Sequence, residues 1–168
     1  MRVYKVSIKS QFKHLWSLIF IIVIFPFIGY QFGLYKMDSP DEKSIVEVLL
    51  FVISVLTIPL ITLHINHLLN SVNICVEVNF VEGVIRYTNP EGITEFRKED
   101  VDFVINVKSI PLAENRLPIL PWDVYNYALI KLKSGREIKI SSLLIDQFDK
   151  QIGIGKISVK KSFYPWIE

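Results

Sequence analysis

Between Leu15 and Tyr35 the chain runs for 21 residues without a formal charge, with His14 before the stretch and Lys36 after it. A helix of that length rises about 31 Å, the thickness of a bilayer's hydrocarbon core. A second stretch of 22 residues, Val48 to Leu69, follows Glu47. Its far end carries His64, Asn66 and His67, which leaves Val48 to Leu63 as the strongly apolar part. A water-soluble fold would have to cover both helices on every side, and 168 residues offer too little mass for that. The two stretches are therefore read as a transmembrane hairpin over residues 15–69, with spans at 15–35 and 46–69.

The first span has the basic start and apolar centre of a secretory signal. No small-x-small cleavage site follows it, and the residues after Phe25 are bulky and aromatic, so it reads as a retained anchor. Arg2, Lys5, Lys9 and Lys13 precede it with no acid among them. The connector from Lys36 to Glu47 sets two lysines against Asp38, Asp41, Glu42 and Glu47. The asymmetry predicts a cytoplasmic N-terminus and, after two spans, a cytoplasmic C-terminus, the arrangement of a multi-pass inner-membrane protein. Ser39-Pro40-Asp41-Glu42 reads as a tight turn, with Ser44 as an N-cap for the second helix.

Within the spans, Gly29 and Gly33 form a GxxxG pair, which lets a helix backbone come close to another, either this chain's second helix or a second copy. Pro26 and Pro59 each remove a backbone donor and are expected to kink their helices. His64 and His67 share one helical face; two histidines without a third ligand are a weak metal or proton site and suit the headgroup level. Neither span holds Asp, Glu, Lys or Arg, which argues against a transport pathway.

Past Asn70 the period changes to two. Ile74, Val76, Val78 and Phe80 alternate with polar neighbours, Glu82-Gly83 turns the chain, and strands follow at Val84 to Thr88 and Ile93 to Arg97. Val101, Phe103, Ile105 and Val107 read as the inward face of a fourth strand. A loop with Pro111, Pro118 and Pro121 precedes two more strands, Tyr125 to Lys133 and Arg136 to Ile140, joined by Ser134-Gly135. Ser142 then caps an amphipathic helix with Leu144, Ile145, Phe148 and Ile152 on one face and Gly153 at its end. Lys156 to Glu168 reads as one more strand or as a segment along the membrane surface. Tyr4, Val6 and Ile8 alternate as well, so residues 2–9, part of an N-terminal segment 1–14, are expected to join the sheet of the domain at 70–168.

A strand-like Val3 to Ile8, a helical hairpin, and Glu95-Phe96-Arg97-Lys98-Glu99-Asp100-Val101 in the place of an "aromatic, polar, Asp, Ile" lead-in to a strand resemble the small bacterial membrane proteins with a PH-like domain, of the YcxB-like kind. The resemblance covers nearly the whole chain. It implies an α+β membrane protein, a two-helix hairpin followed by a PH-like antiparallel β domain closed by a C-terminal helix. Ile140-Ser141-Ser142-Leu143 stands where that family carries a proline-and-basic stretch. Eukaryotic PH domains bind phosphoinositides through a basic first hairpin; the hairpin Val81-Glu82-Gly83 is short and acidic, so that recognition does not carry over.

No phosphate loop, GxSxG, HExxH or CxxC occurs, the three histidines all lie in or beside the spans, and Cys75 is the sole cysteine. No cofactor, metal or enzymatic activity is expected. A net charge of +2 without a basic stripe gives nucleic acid no footing. Two surfaces are candidates for binding. Arg116, Trp122, Tyr125 and Tyr127 beside three prolines suit a protein partner or, equally, a plug for the open end of the sheet. Lys156, Lys160, Lys161 and Trp166 suit an anionic membrane surface or ordinary packing. The expected partners are the lipid bilayer and another protein, with homo-oligomers left open. The expected function is a non-enzymatic binding or scaffold module at the inner face of a bacterial membrane; the alternative is an accessory or regulatory subunit of a membrane transport or secretion complex.

Overall fold

A serine pair decides where the N-terminal strand stops. Ser7 Oγ accepts the Ser10 N–H and Ser10 Oγ accepts the Ser7 N–H, both at 3.1 Å, a reciprocal cap that starts a helix at Ile8. The alternation of Tyr4, Val6 and Ile8 therefore yields only a short strand, β1 (Arg2–Tyr4). These details come from a computed structural model of the chain, which describes residues 1–36, 42–148, 152 and 157–168.

The first long helix runs as α1 (Ile8–Ile19), a π-helical turn (Phe20–Ile24) and α2 (Phe25–Lys36). In the wide turn the Phe25 N–H donates to the Phe20 carbonyl, five residues back, just ahead of Pro26, whose missing N–H would otherwise break the ladder. The second is α3 (Glu42–Leu69), 28 residues with Pro59 inside it. It is already helical at Glu42, so Ser44 sits in its first turn and is not its cap; the turn expected at Ser39-Pro40-Asp41 lies outside the described residues. Both helices are long and apolar enough to cross a membrane, yet only 6% of the first apolar window and 11% of the second are buried. Ser54 and Thr62 donate their hydroxyls to the carbonyls of Leu50 and Ile58, four residues back, so neither polar group projects unpaired.

The β domain is two sheets around one core. In the first, β1, β2 (Cys75–Asn79), β3 (Val84–Asn89) and β4 (Gly92–Arg97) pair antiparallel in that order, with Val3 opposite Glu77. The first two strands of this sheet are thus joined by the whole helical hairpin. Val81-Glu82-Gly83 is the turn between the second and third strands, which corrects its reading as the first hairpin; Gly83 takes φ +68 there, a conformation that glycine tolerates. A 3-10 turn at Lys98–Asp100, closed by the Asp100 carboxylate on the Arg97 N–H at 2.7 Å, carries the chain into the second sheet. That sheet has the order β7 (Glu137–Ser141), β6 (Asn126–Leu132), β5 (Val101–Ser109), β8 (Ile157–Ser162). β8 runs parallel to β5, so the C-terminal stretch supplies a strand. A one-turn helix, α4 (Ile110–Ala113), opens the β5–β6 loop.

Val76, Val78, Ile85 and Phe96 from the first sheet meet Val104, Ala128, Ile130 and Ile140 from the second, with Phe148 and Ile152 closing the end. Two expectations need correction. The inward residues of β5 are Val101 and then Val104, because a bulge between Val101 and Phe103 shifts the register and turns Phe103 and Ile105 away from the core. Ser142 does not cap a helix: residues 142–147 form turns and bends and Gln147 has φ +51, so among the described residues of this segment Phe148 and Ile152 are the helical ones. Gly153 lies outside the described residues.

Gly29 and Gly33 face α3. A Cβ at Gly29 would lie 2.6 Å from Leu49 Cδ2, and one at Gly33 would lie 3.1 Å from Ile45. The pair therefore sets how closely the two helices approach within one chain. Gly29→Ile is expected to lower the thermal midpoint of the detergent-purified protein by several degrees, reflecting about 1–3 kcal/mol of overpacking. The outward-facing Phe27→Ile should leave the midpoint near that of the parent; circular dichroism melts of the two variants check this.

Candidate functional site at the joint of hairpin and domain

The burial pattern of α3 changes along its length. Val46 to Ile58 is largely exposed, whereas Leu60, Leu63, His64, Asn66 and His67 are buried at helical spacing. That face presses on Trp122, Tyr125 and Leu143, with Leu18 of α1 alongside. Twenty helical residues would suffice for a 30 Å hydrocarbon layer, and the 28 residues of α3 exceed that by eight, about 12 Å.

All three histidines of the chain converge on Tyr125. The ring centroids of His14, His67 and His64 lie 4.9, 5.0 and 6.1 Å from the Tyr125 ring, all tilted or edge-on. His64 Nδ1 is 2.8 Å from the Tyr125 hydroxyl. Tyr125 is fully buried, and that burial pushes its phenol well above the ordinary range, so it stays protonated and donates to His64. His67 donates Nε2–H to the Pro165 carbonyl and accepts the Ser141 hydroxyl at Nδ1, each at 2.8 Å. His14 donates Nδ1–H to the Ser10 carbonyl at 2.8 Å and accepts from Ser142 Oγ–H at 3.1 Å. Asn66 clamps the C-terminal tail: its Nδ2 donates to the Ile167 carbonyl at 3.0 Å and its Oδ1 accepts the Ile167 N–H at 2.9 Å. Lys13 pairs with Asp146 at the rim.

Chemically this is a structural latch. The imidazoles, Tyr125, Asn66, Ser141 and Ser142 buried between helix and sheet have named partners, which avoids the penalty of leaving them unpaired; the Trp122 indole N–H is the exception in this joint. No cluster of three or more metal-ligating side chains exists among the described residues. His64 and His67 lie on one face, but Tyr125 takes up His64 Nδ1, and Ser141 and Pro165 take up both nitrogens of His67.

Of the two readings open for Arg116, Trp122, Tyr125 and Tyr127, an exposed partner patch or a plug for the open end of the sheet, Trp122 and Tyr125 follow the buried one. Trp122 and Tyr125 are buried against α3, Tyr127 is half-buried with its ring 6.4 Å from that of His67, and only Arg116 is exposed, paired to Glu114. The physical reason is that α3 extends far enough to cover the end of the sheet. Lys160 and Lys161 are exposed on β8, and Trp166, partly exposed, stacks on Tyr164 with centroids 6.2 Å apart; Lys156 lies outside the described residues. Residues missed in the sequence are His14, Asn66, Ser141, Ser142, Tyr164 and Ile167. The one available signal was the spacing His64, Asn66, His67, a polar stripe continuing the apolar one.

Tyr125→Phe is expected to destabilise the detergent-purified protein by about 1–3 kcal/mol, because the buried His64 Nδ1 loses its donor. Adding His64→Leu should recover much of that loss, since both polar partners are then gone. Unfolding midpoints of the two single variants and the double variant measure the coupling.

A family model described as a PH domain matches residues 3–150, a span that takes in β1 except Arg2, the helical hairpin and β2 to β7. No curated protein and no solved structure matches the chain. Two sheets around one core with β1 ahead of the hairpin agree with that match over most of the chain, which therefore belongs to the PH domain family.

Proposed function

We propose that the protein is a membrane-anchored PH-like module of the YcxB-like kind, a non-enzymatic binding or scaffold unit at the inner face of a bacterial membrane. One observation carries the reading. β1 precedes the hairpin, β2 follows it, and the two pair residue for residue, so both ends of the hairpin must lie on one side of any membrane it crosses. The outward residues of the helices, among them Val23, Phe27, Phe51, Val55 and Ile58, are exposed apolar groups that water would penalise and acyl chains would accommodate. Arg2, Lys5, Lys9 and Lys13 stand at the base, where the positive-inside bias puts them in the cytoplasm. Such a module takes its protein partner on a surface away from Trp122 and Tyr125, whose faces α3 already occupies.

Reporter fusions test the topology. A reporter active only in the cytoplasm is expected to work at Glu168, and one active only outside should work when inserted after Lys43. Activity of the external reporter at Glu168 would overturn the reading.

A further inference from the structure

We propose that the groove between the β5–β6 loop and the end of β8 takes one acyl chain of an anionic phospholipid, drawn from the leaflet on the domain side. The inference rests on the hairpin crossing the membrane, and its first support is depth. His14 and His64 both touch Tyr125, so they stand at one level, and Lys13 beside them is the last charge before the first span. Tyr164 reaches past that level: its hydroxyl donates to the Pro59 carbonyl at 2.5 Å. Pro59 lies five residues from His64, about 7 Å farther into the bilayer. Trp122 packs in the same cluster as Tyr164, their centroids 6.2 Å apart. The domain therefore extends past the level where the charges end, alongside helix turns whose outward residues Ile58 and Ile61 are themselves exposed.

The second support is the surface there. Leu117, Ile119 and Phe163 are 85%, 87% and 61% exposed, an unfavourable arrangement in water but not in acyl chains. With Pro111 and Leu120 they border a groove of about 390 Å³, comparable to an acyl chain's volume. The one acid in its lining, Asp123, accepts the Ile119 and Leu120 N–H groups at 3.0 and 2.8 Å and so is turned onto its own loop.

Charge supplies the third support. Arg116 lines the groove and shares the Glu114 carboxylate with Lys161, which donates to it at 2.8 Å. Two cations on one carboxylate leave a surplus of one positive charge there. A phosphodiester at the groove's mouth meets that surplus while its chain lies on the apolar floor.

The test is photocrosslinking of the full chain in vesicles of phosphatidylcholine and phosphatidylglycerol. p-Benzoylphenylalanine replaces Phe163 in the groove, Phe51 on the outward face of α3, or Val81 at the exposed β2–β3 turn. Mass spectrometry is expected to find phospholipid adducts at Phe163 and Phe51 and none at Val81. Arg116→Ala should cut the phosphatidylglycerol share at Phe163 several-fold and leave that at Phe51 unchanged. A Phe163 probe that behaves like Val81 while Phe51 labels would sink the groove and spare the hairpin reading. No adduct at Phe51 would sink the membrane-spanning reading itself. An unchanged lipid ratio with Arg116→Ala would overturn the anionic preference.

Discussion

Three backbone-paired positions, Arg2, Val3 and Tyr4 against Val78, Glu77 and Val76, bring the two ends of the helical hairpin into one sheet. That constraint organises the rest. An antiparallel pair is ordinarily joined by a few residues, and closing a long loop costs entropy that its ends must offset. Here the closure is shared: the helices pack on each other through Gly29 and Gly33, and α3 packs on the domain through Leu60 and Leu63. The hairpin is an insertion within the PH-like domain, held at both ends by the sheet it interrupts.

The joint explains why the domain and helices form one body. Tyr125 is fully buried in the middle of three imidazoles, and the tail from Tyr164 to Ile167 is fastened to α3 at Pro59, Asn66 and His67. A swinging domain on a flexible linker would leave these groups wet and need none of the pairing. A latched domain presents its surfaces at a fixed position and orientation relative to the two helices. It also brings Leu117, Ile119 and Phe163 close to the helix turns around Pro59.

Much of this layout was legible in the sequence, for physical reasons. Charge-free length reports the long helices, and period two reports β2, β3, β4 and β6. What was not legible depends on contacts between distant residues. His64 meets Tyr125 across 61 positions, His67 meets Ser141 across 74, and Asn66 meets Ile167 across 101. No local pattern encodes such partners. Other boundaries failed where two local signals competed. At Ser7 a capping pair outweighed the alternation that continued to Ile8, and at Asp102 a bulge reversed the faces of β5. At Ser142 a hydroxyl that could cap a helix instead accepts the Asn126 N–H and donates to His14. The aromatic residues around Trp122 read as surface because the sequence does not say that α3 runs on past its exposed stretch and covers them.

The central claim is that the strand before the hairpin pairs with the strand after it. A disulfide tests it in native membranes, before any detergent. With Cys75 replaced by serine, Val3→Cys and Glu77→Cys stand directly opposite in the pair and are expected to join on mild oxidation, giving one intramolecular crosslink. Val3→Cys with Glu95→Cys, three strands away on β4, should not join. Crosslinking of the distant pair at an equal rate, or none between positions 3 and 77, would contradict the account.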